Sequence, residues 1–306
     1  MSTSIVGGMS RYMQIQKRKD PALEAPGLLN CVRDCHHPAF ALLNATYRFR
    51  AWPMIRRTHT PEQDGKFLKS EFYKENIDIS FLESKASPTP VNFIFVVKTS
   101  GEKFIIQSPY MYITRPSKEI IDENIFEKNN IGLIPSTAIY YDLTLEIFKK
   151  AKISQIPTSL DLEKTSYRKI WKKKRILELL KYVDILLPNK EGAKEITGKV
   201  KPIKWAKYFL DLDIKKIIIT LGKDGCMAVS ESDKLRLPGY MIDPVDTTGT
   251  GDTFCAAFDY FNIIKGYNLE KACLYANTSA ARKSLFLGAR KGMPNYSQVK
   301  SFLDDH

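Results

Sequence analysis

The chain has 306 residues, of which 43% are hydrophobic and 26% charged, enough to bury a full core as one large domain or one domain with a small appendage. No unbroken apolar run is long enough to span a bilayer and residues 1–20 lack the apolar centre of a signal peptide, so a cytoplasmic protein with no membrane partner is expected. Five scattered cysteines suit a reducing compartment, and a net charge of +13 favours anionic partners such as nucleotides, phosphorylated metabolites or nucleic acid.

Along the chain, the first local feature is Cys31-Val32-Arg33-Asp34-Cys35-His36-His37. Cys and His at short spacing can bind zinc, but a closed site needs a second pair, and His59 and His306 are the only other histidines. A strand and turn leading into a helix that starts near Pro38 is the ordinary reading. Between residues 88 and 109, Val91-Asn92-Phe93-Ile94-Phe95-Val96-Val97 and Lys103-Phe104-Ile105-Ile106 flank Thr99-Ser100-Gly101-Glu102, which predicts a hairpin.

From about residue 130 the pattern changes. Ile131-Gly132-Leu133-Ile134, Ser159-Leu160-Asp161-Leu162, Ile185-Leu186-Leu187 and Ile217-Ile218-Ile219-Thr220 read as short buried strands. Helical patterns lie between them near 138–150, 172–182 and 203–210, and further helices follow near 252–264, 269–285 and 296–303. Strand–helix–strand repetition implies a parallel sheet covered on both faces. The basic run Lys172-Lys173-Lys174-Arg175 leads into apolar helical spacing, which puts its lysines on a wet face. No aromatic platform accompanies it, so no nucleic-acid partner is expected.

The most informative stretch is Asp246-Thr247-Thr248-Gly249-Thr250-Gly251-Asp252, followed by Thr253-Phe254-Cys255-Ala256-Ala257-Phe258. A glycine-rich turn feeding an amphipathic helix presents backbone N–H groups and a positive dipole end to an anion such as phosphate. Asp252 would repel that phosphate as a passive binder. It fits the chemistry as a base that takes a proton from an alcohol attacking the phosphate. The plain alternative is that Asp252 only caps its helix.

The whole run closely resembles the signature of the ribokinase-like, or PfkB, carbohydrate kinases, with Thr250 in place of the usual Ala. The resemblance implies an α/β fold: one ribokinase-like domain over residues 1–306, a three-layer α/β/α arrangement with a small β-sheet lid from strands near 10–35 and 88–110. It also implies an ATP-dependent kinase with Asp252 as base and the backbone of Gly249, Thr250 and Gly251 stabilising the phosphoryl group. ATP and Mg2+ would be the cofactors, with a monovalent cation such as K+. Partners would be ATP, a hydroxyl acceptor and a second copy joined through the lid strands.

Further elements extend the resemblance. Thr220-Leu221-Gly222-Lys223-Asp224-Gly225 is similar to the family's element that lies against ATP, which implicates Thr220, Gly222 and Gly225; the plain alternative is an ordinary turn after a strand. Asn277 matches the family's Asn near the adenine, although it would serve equally as a packing residue. Asp246, Thr248 and Gly288 would contribute backbone carbonyls to the monovalent-cation site. Asp184-Ile185-Leu186-Leu187-Pro188-Asn189-Lys190-Glu191-Gly192 resembles the motif whose Asn and Glu lie near the phosphates and the magnesium water shell. Asn189 is retained, but Gly192 stands at the Glu position; substitution by the adjacent Glu191 stays open, although side chains one position apart on a helix diverge by about 100°.

The N-terminal part departs from the pattern. Residues 6–12 resemble the family's first strand, with Tyr12 where an Asp normally grips sugar hydroxyls. His36-His37-Pro38-Ala39-Phe40-Ala41 aligns with a Gly-Gly-Pro-Ala-x-Asn substrate turn, so two glycines have become histidines and the Asn has become Ala41. Three readings stay open: a different phosphoryl acceptor, anionic in view of Arg11, Arg48, Arg50, Arg56 and Arg57; a degenerate, non-catalytic nucleotide-binding relative; or a mistranslated stretch over residues 1–60.

Overall fold

The computed structural model describes residues 3–7, 11–15, 23–24, 91–96, 103–106, 133–137, 141–163, 173–287 and 292–306, with Ser70 and Phe126. Its contacts divide the chain into two compact units, one of Met1–Pro116, Ile242–Ala256 and Thr278–His306, the other of Ser117–Met241 and Ala257–Asn277.

The first unit holds an antiparallel sheet. Strands β1 (Thr3–Gly7), β2 (Arg11–Ile15), β3 (Leu23–Glu24), β4 (Val91–Val96) and β5 (Lys103–Ile106) run in the order β3-β2-β1-β4-β5. The predicted hairpin is the β4–β5 pair, with Val96 opposite Lys103. The single opening strand expected over residues 6–12 is instead parts of two strands, β1 and β2, with Gly7 opposite Arg11. The consecutive glycines Gly7 and Gly8 interrupt the apolar run there, and glycine weakens a strand interior.

The second unit is built on a six-stranded sheet of order β11-β10-β9-β8-β7-β6. Here β6 (Ile134–Thr137), β7 (Thr158–Leu162), β8 (Ile185–Pro188) and β9 (Lys216–Thr220) are parallel. The expected parallel sheet is therefore extended by an antiparallel edge, β10 (Cys226–Ser230) and β11 (Lys234–Leu237). Ile217, Ile218 and Ile219 are fully buried, which is why that run shows no alternation of apolar and polar residues.

Among the described residues, the helices between these strands are α1 (Tyr141–Ile153), α2 (Lys173–Leu180), α3 (Lys190–Thr197) and α4 (Pro202–Leu210). In α2, Ile176, Leu179 and Leu180 are buried while Lys173 and Lys174 are exposed, so these two lysines of the basic run lie on a wet face. Arg175 stacks over the Tyr141 ring at 4.4 Å and pairs with Asp142 at 2.7 Å, while the Tyr141 hydroxyl donates to Glu178 at 2.6 Å. Later helices are α5 (Thr250–Asp259), which continues as a π turn over Tyr260–Ile264, α6 (Leu269–Ser284) and α7 (Tyr296–Asp305). A capping box at Asn295 and Gln298 fixes the start of α7. Among the described residues, no helix is long and apolar enough to cross a membrane.

Asp184 ties the ends of β7 and β8 together. Its carboxylate accepts from the Thr158 amide at 3.0 Å and the Thr158 hydroxyl at 3.2 Å, and Lys215 Nζ lies 2.7 Å away. Burial pushes this carboxyl up, but the hydrogen bonds from Lys215 and the Thr158 amide and the charges of Lys215 and Lys152 outweigh it. The net shift is below the ordinary value. A carboxyl lowered by folding stabilises the protein above its unfolded pKa, about 3.9, and that share is lost as pH falls through the folded value. Asp184→Asn is therefore expected to lower stability at neutral pH by about 1–3 kcal/mol and to flatten the acid limb of the stability–pH curve. Urea unfolding of both proteins between neutral and acid pH checks this; parallel curves would overturn it.

Candidate active site

In the first unit, the glycine-rich turn is held from both ends. The amides of Val245 and Asp246 donate to Ser284 O at 2.8 and 3.0 Å, which fastens the turn to the end of α6. Asp246 is buried, and its carboxylate accepts from the Thr248 amide at 2.8 Å. Gly249 then takes φ +81°, a left-handed conformation that side-chain-bearing residues rarely adopt. Helix α5 starts at Thr250, and Asp252 is half-buried in its first turn.

The first amides of any helix lack intrahelical acceptors. Here the Thr250 amide reaches Thr247 O at 3.3 Å, a long bond, and the Thr250 hydroxyl donates to the same oxygen at 2.8 Å. Among the described residues, no acceptor meets the amides of Gly249 and Gly251. The Thr253 amide and hydroxyl both donate to Gly249 O, at 2.9 and 2.7 Å, which locks the turn against the helix. Thr248 Oγ1 is buried without a hydrogen-bond partner, an arrangement that costs about 1–3 kcal/mol unless a ligand or water meets it.

In the second unit the expected nucleotide-side residues gather at the carboxyl ends of the parallel strands, where open α/β sheets place ligands. Thr220 ends β9 and bridges to Asn189, which follows β8. The backbone of Gly225, at φ +83°, packs against the segment after β11: a Cβ there would lie 2.1 Å from Leu237 O and 2.5 Å from the Pro238 carbonyl carbon. Asn277 is buried in α6, and its amide donates to Pro238 O at 3.3 Å. Pro238 thus links the glycine turn to Asn277. Gly222 faces open space, with nothing within 4 Å of a Cβ built on it.

Asn189 also has a structural task. Its Oδ1 accepts from the Gly192 amide at 2.7 Å and caps α3. Gly192 is pressed on the last carbonyl of β7, where a Cβ would lie 2.3 Å from Leu162 O. No glutamate fits there without displacing α3, and Glu191 is exposed. The motif's glutamate position therefore carries no carboxylate, and Glu191 is the acidic residue in the first turn of α3. Among the described residues, no group of three or more His, Cys, Asp and Glu side chains is placed to hold a metal ion.

One carbonyl expected at the monovalent-cation site is engaged by the chain itself. Asp246 O already accepts from Lys283 Nζ at 3.1 Å, and Lys283 is wholly buried. Reading the sequence missed this lysine, because Arg282-Lys283 at the end of a helix looks like an ordinary basic C-terminal turn. Gly288, the Cys–His run at 31–37, the helix near Pro38 and the substrate-turn histidines His36 and His37 lie outside the described residues.

Among solved structures, the ribokinase of Thermotoga maritima is similar with a TM-score of 0.67 at 23% identity, covering 94% of this chain and 91% of its own. The Arabidopsis thaliana ribokinase complexed with ribose and ATP gives 0.66 at 20% identity, covering 85% and 86%. The fold is therefore the α/β/α fold of the ribokinase-like class. A family model described as "pfkB family carbohydrate kinase" matches residues 61–295, and the chain belongs to that family of sugar kinases. The ATP-dependent 6-phosphofructokinase of Thermoanaerobacterium thermosaccharolyticum is 28% identical over 255 residues, 78% of this chain and 76% of that protein.

The contact at Gly192 predicts a cost for any side chain there. Gly192→Ala is expected to lower unfolding stability by about 1–3 kcal/mol, as overpacking does. Chemical denaturation measures it, and an unchanged midpoint would show that α3 yields freely.

Proposed function

We propose that this protein transfers the γ-phosphoryl group of ATP to a hydroxyl of a sugar or related small molecule, with Asp252 as the base. One observation carries the reading: an aspartate in the first turn of α5, following in sequence Gly249 and Gly251, whose amides meet no acceptor among the described residues. Asp252 takes the acceptor's hydroxyl proton as the oxygen bonds to the γ-phosphorus. The bond to the β–γ bridging oxygen breaks, and ADP leaves with that electron pair. Main-chain N–H groups of Gly249, Thr250 and Gly251 meet the charge spread over the transferring oxygens, where fixed dipoles act without reorganising.

Asn189, Thr220, Gly222, Gly225 and Asn277 are proposed to hold the nucleotide. Their clustering around strand ends and Pro238 supports that assignment, and a relative's crystal complex with ATP agrees with the choice of nucleotide. Magnesium would neutralise phosphate charge when bound with ATP. A second reading, a non-catalytic nucleotide-binding relative, is favoured by Gly192 at the position of the family's glutamate.

Asp252→Asn is expected to leave the Mg-ATP dissociation constant within about twofold and to cut turnover by about 10²–10⁴-fold. Calorimetry with Mg-ATP and a screen of sugars and sugar phosphates for ADP release measure the two quantities. A variant with full turnover would refute the base. Nucleotide binding with no acceptor-dependent ADP release would favour the non-catalytic reading.

A further inference from the structure

Lys283 occupies the last turn of α6 and is wholly buried. Its Nζ donates to Asp246 O at 3.1 Å and reaches Phe286 O at 3.5 Å. A buried ammonium is tolerated only where oxygen dipoles or counter-charges replace its water. These two carbonyls come from the glycine-rich turn and from the segment after α6, the same two pieces of chain whose carbonyls would otherwise line a monovalent-cation site.

We propose that the Lys283 ammonium is a tethered replacement for that cation. It carries the same single positive charge and engages the same class of ligand, main-chain carbonyl oxygen. A free K+ placed on Asp246 O would face a like charge on the same atom at short range. The carbonyl is already oriented, because the neighbouring Val245 and Asp246 amides are fastened to Ser284 O. Lys283 also lies one residue before Ser284, so a single end of α6 supplies both the clamp and the charge. The turn that presents the amides of Gly249 and Gly251 thus carries its positive support within the chain, whatever the salt outside.

The consequence for nucleotide binding rests on the proposed kinase reading; the consequence for stability does not. The experiment compares thermal melting and Mg-ATP calorimetry in KCl and in choline chloride at equal ionic strength, for the full chain and for Lys283→Ala, which opens room for an ion. The unsubstituted protein is expected to melt within about 1 °C and bind Mg-ATP within about twofold in the two salts. Lys283→Ala is expected to melt lower in choline, to regain several degrees in KCl and to bind Mg-ATP at least about tenfold more tightly there. An unsubstituted protein whose melting rises by several degrees in KCl overturns the proposal without any variant having to fold. A Lys283→Ala protein that responds to KCl no more than its parent also overturns it. Absence of Mg-ATP binding in both salts sinks the kinase reading instead, and melting still decides the role of Lys283.

Discussion

A glycine turn held rigidly against the start of a helix, with amides that no described residue accepts from, is the constraint on which the functional reading depends. Gly249 supplies it by taking a left-handed backbone conformation between a buried aspartate and the start of α5. Backbone amides are strong donors, and leaving them unbonded is tolerable only at a surface that meets water or a ligand. The surrounding bonds show how the turn is kept from relaxing. Asp246 holds the Thr248 amide, Thr253 holds Gly249 O with two donors, and Ser284 O holds two amides from the other side. Rigidity of this kind is what electrostatic stabilisation of a transferring phosphoryl requires, since dipoles that must reorient during reaction lose most of their benefit.

The second unit solves a related problem with strands. Parallel strands end with free carbonyls and amides, and the chain covers them with helix starts and glycine turns. The Asn189 amide donates to Leu162 O at 3.2 Å, and the Asn189 side chain caps α3. That economy has a cost in chemistry. The Asn189 oxygen commits one acceptor position to the helix cap, and a glycine pressed on Leu162 O leaves no room for a side chain at that position. Close packing of α3 on the end of β7 decides which residue this helix start can carry.

Much of this was legible in the residues, for physical reasons that differ by element. Ile217, Ile218 and Ile219 announce a buried strand because three consecutive β-branched residues fit a sheet covered on both faces. The Gly249–Asp252 turn was readable because it needs particular residue types at fixed spacing. Cys226-Met227-Ala228-Val229-Ser230 was not read as a strand, since small and sulfur-bearing residues give a weak β signal; its register is set by pairing with β9. The helix α3 was hidden by its low apolar content and is defined by its cap and by the left-handed Gly198 at its end. Lys283 was opaque for a deeper reason. Its sequence neighbourhood is that of any solvated helix end, and only the fold brings Asp246 O within hydrogen-bond reach.

The buried Lys283 bears on one quantity, the source of the positive charge beside the glycine-rich turn. A fixed ammonium costs desolvation during folding but needs no ion to be captured at each encounter with nucleotide, whereas a recruited cation does the reverse. A chain with net charge +13 already has a field that draws anions in. Placing one of those charges beyond the reach of solvent makes its contribution insensitive to ionic strength, because salt screens exposed charges far more than buried ones.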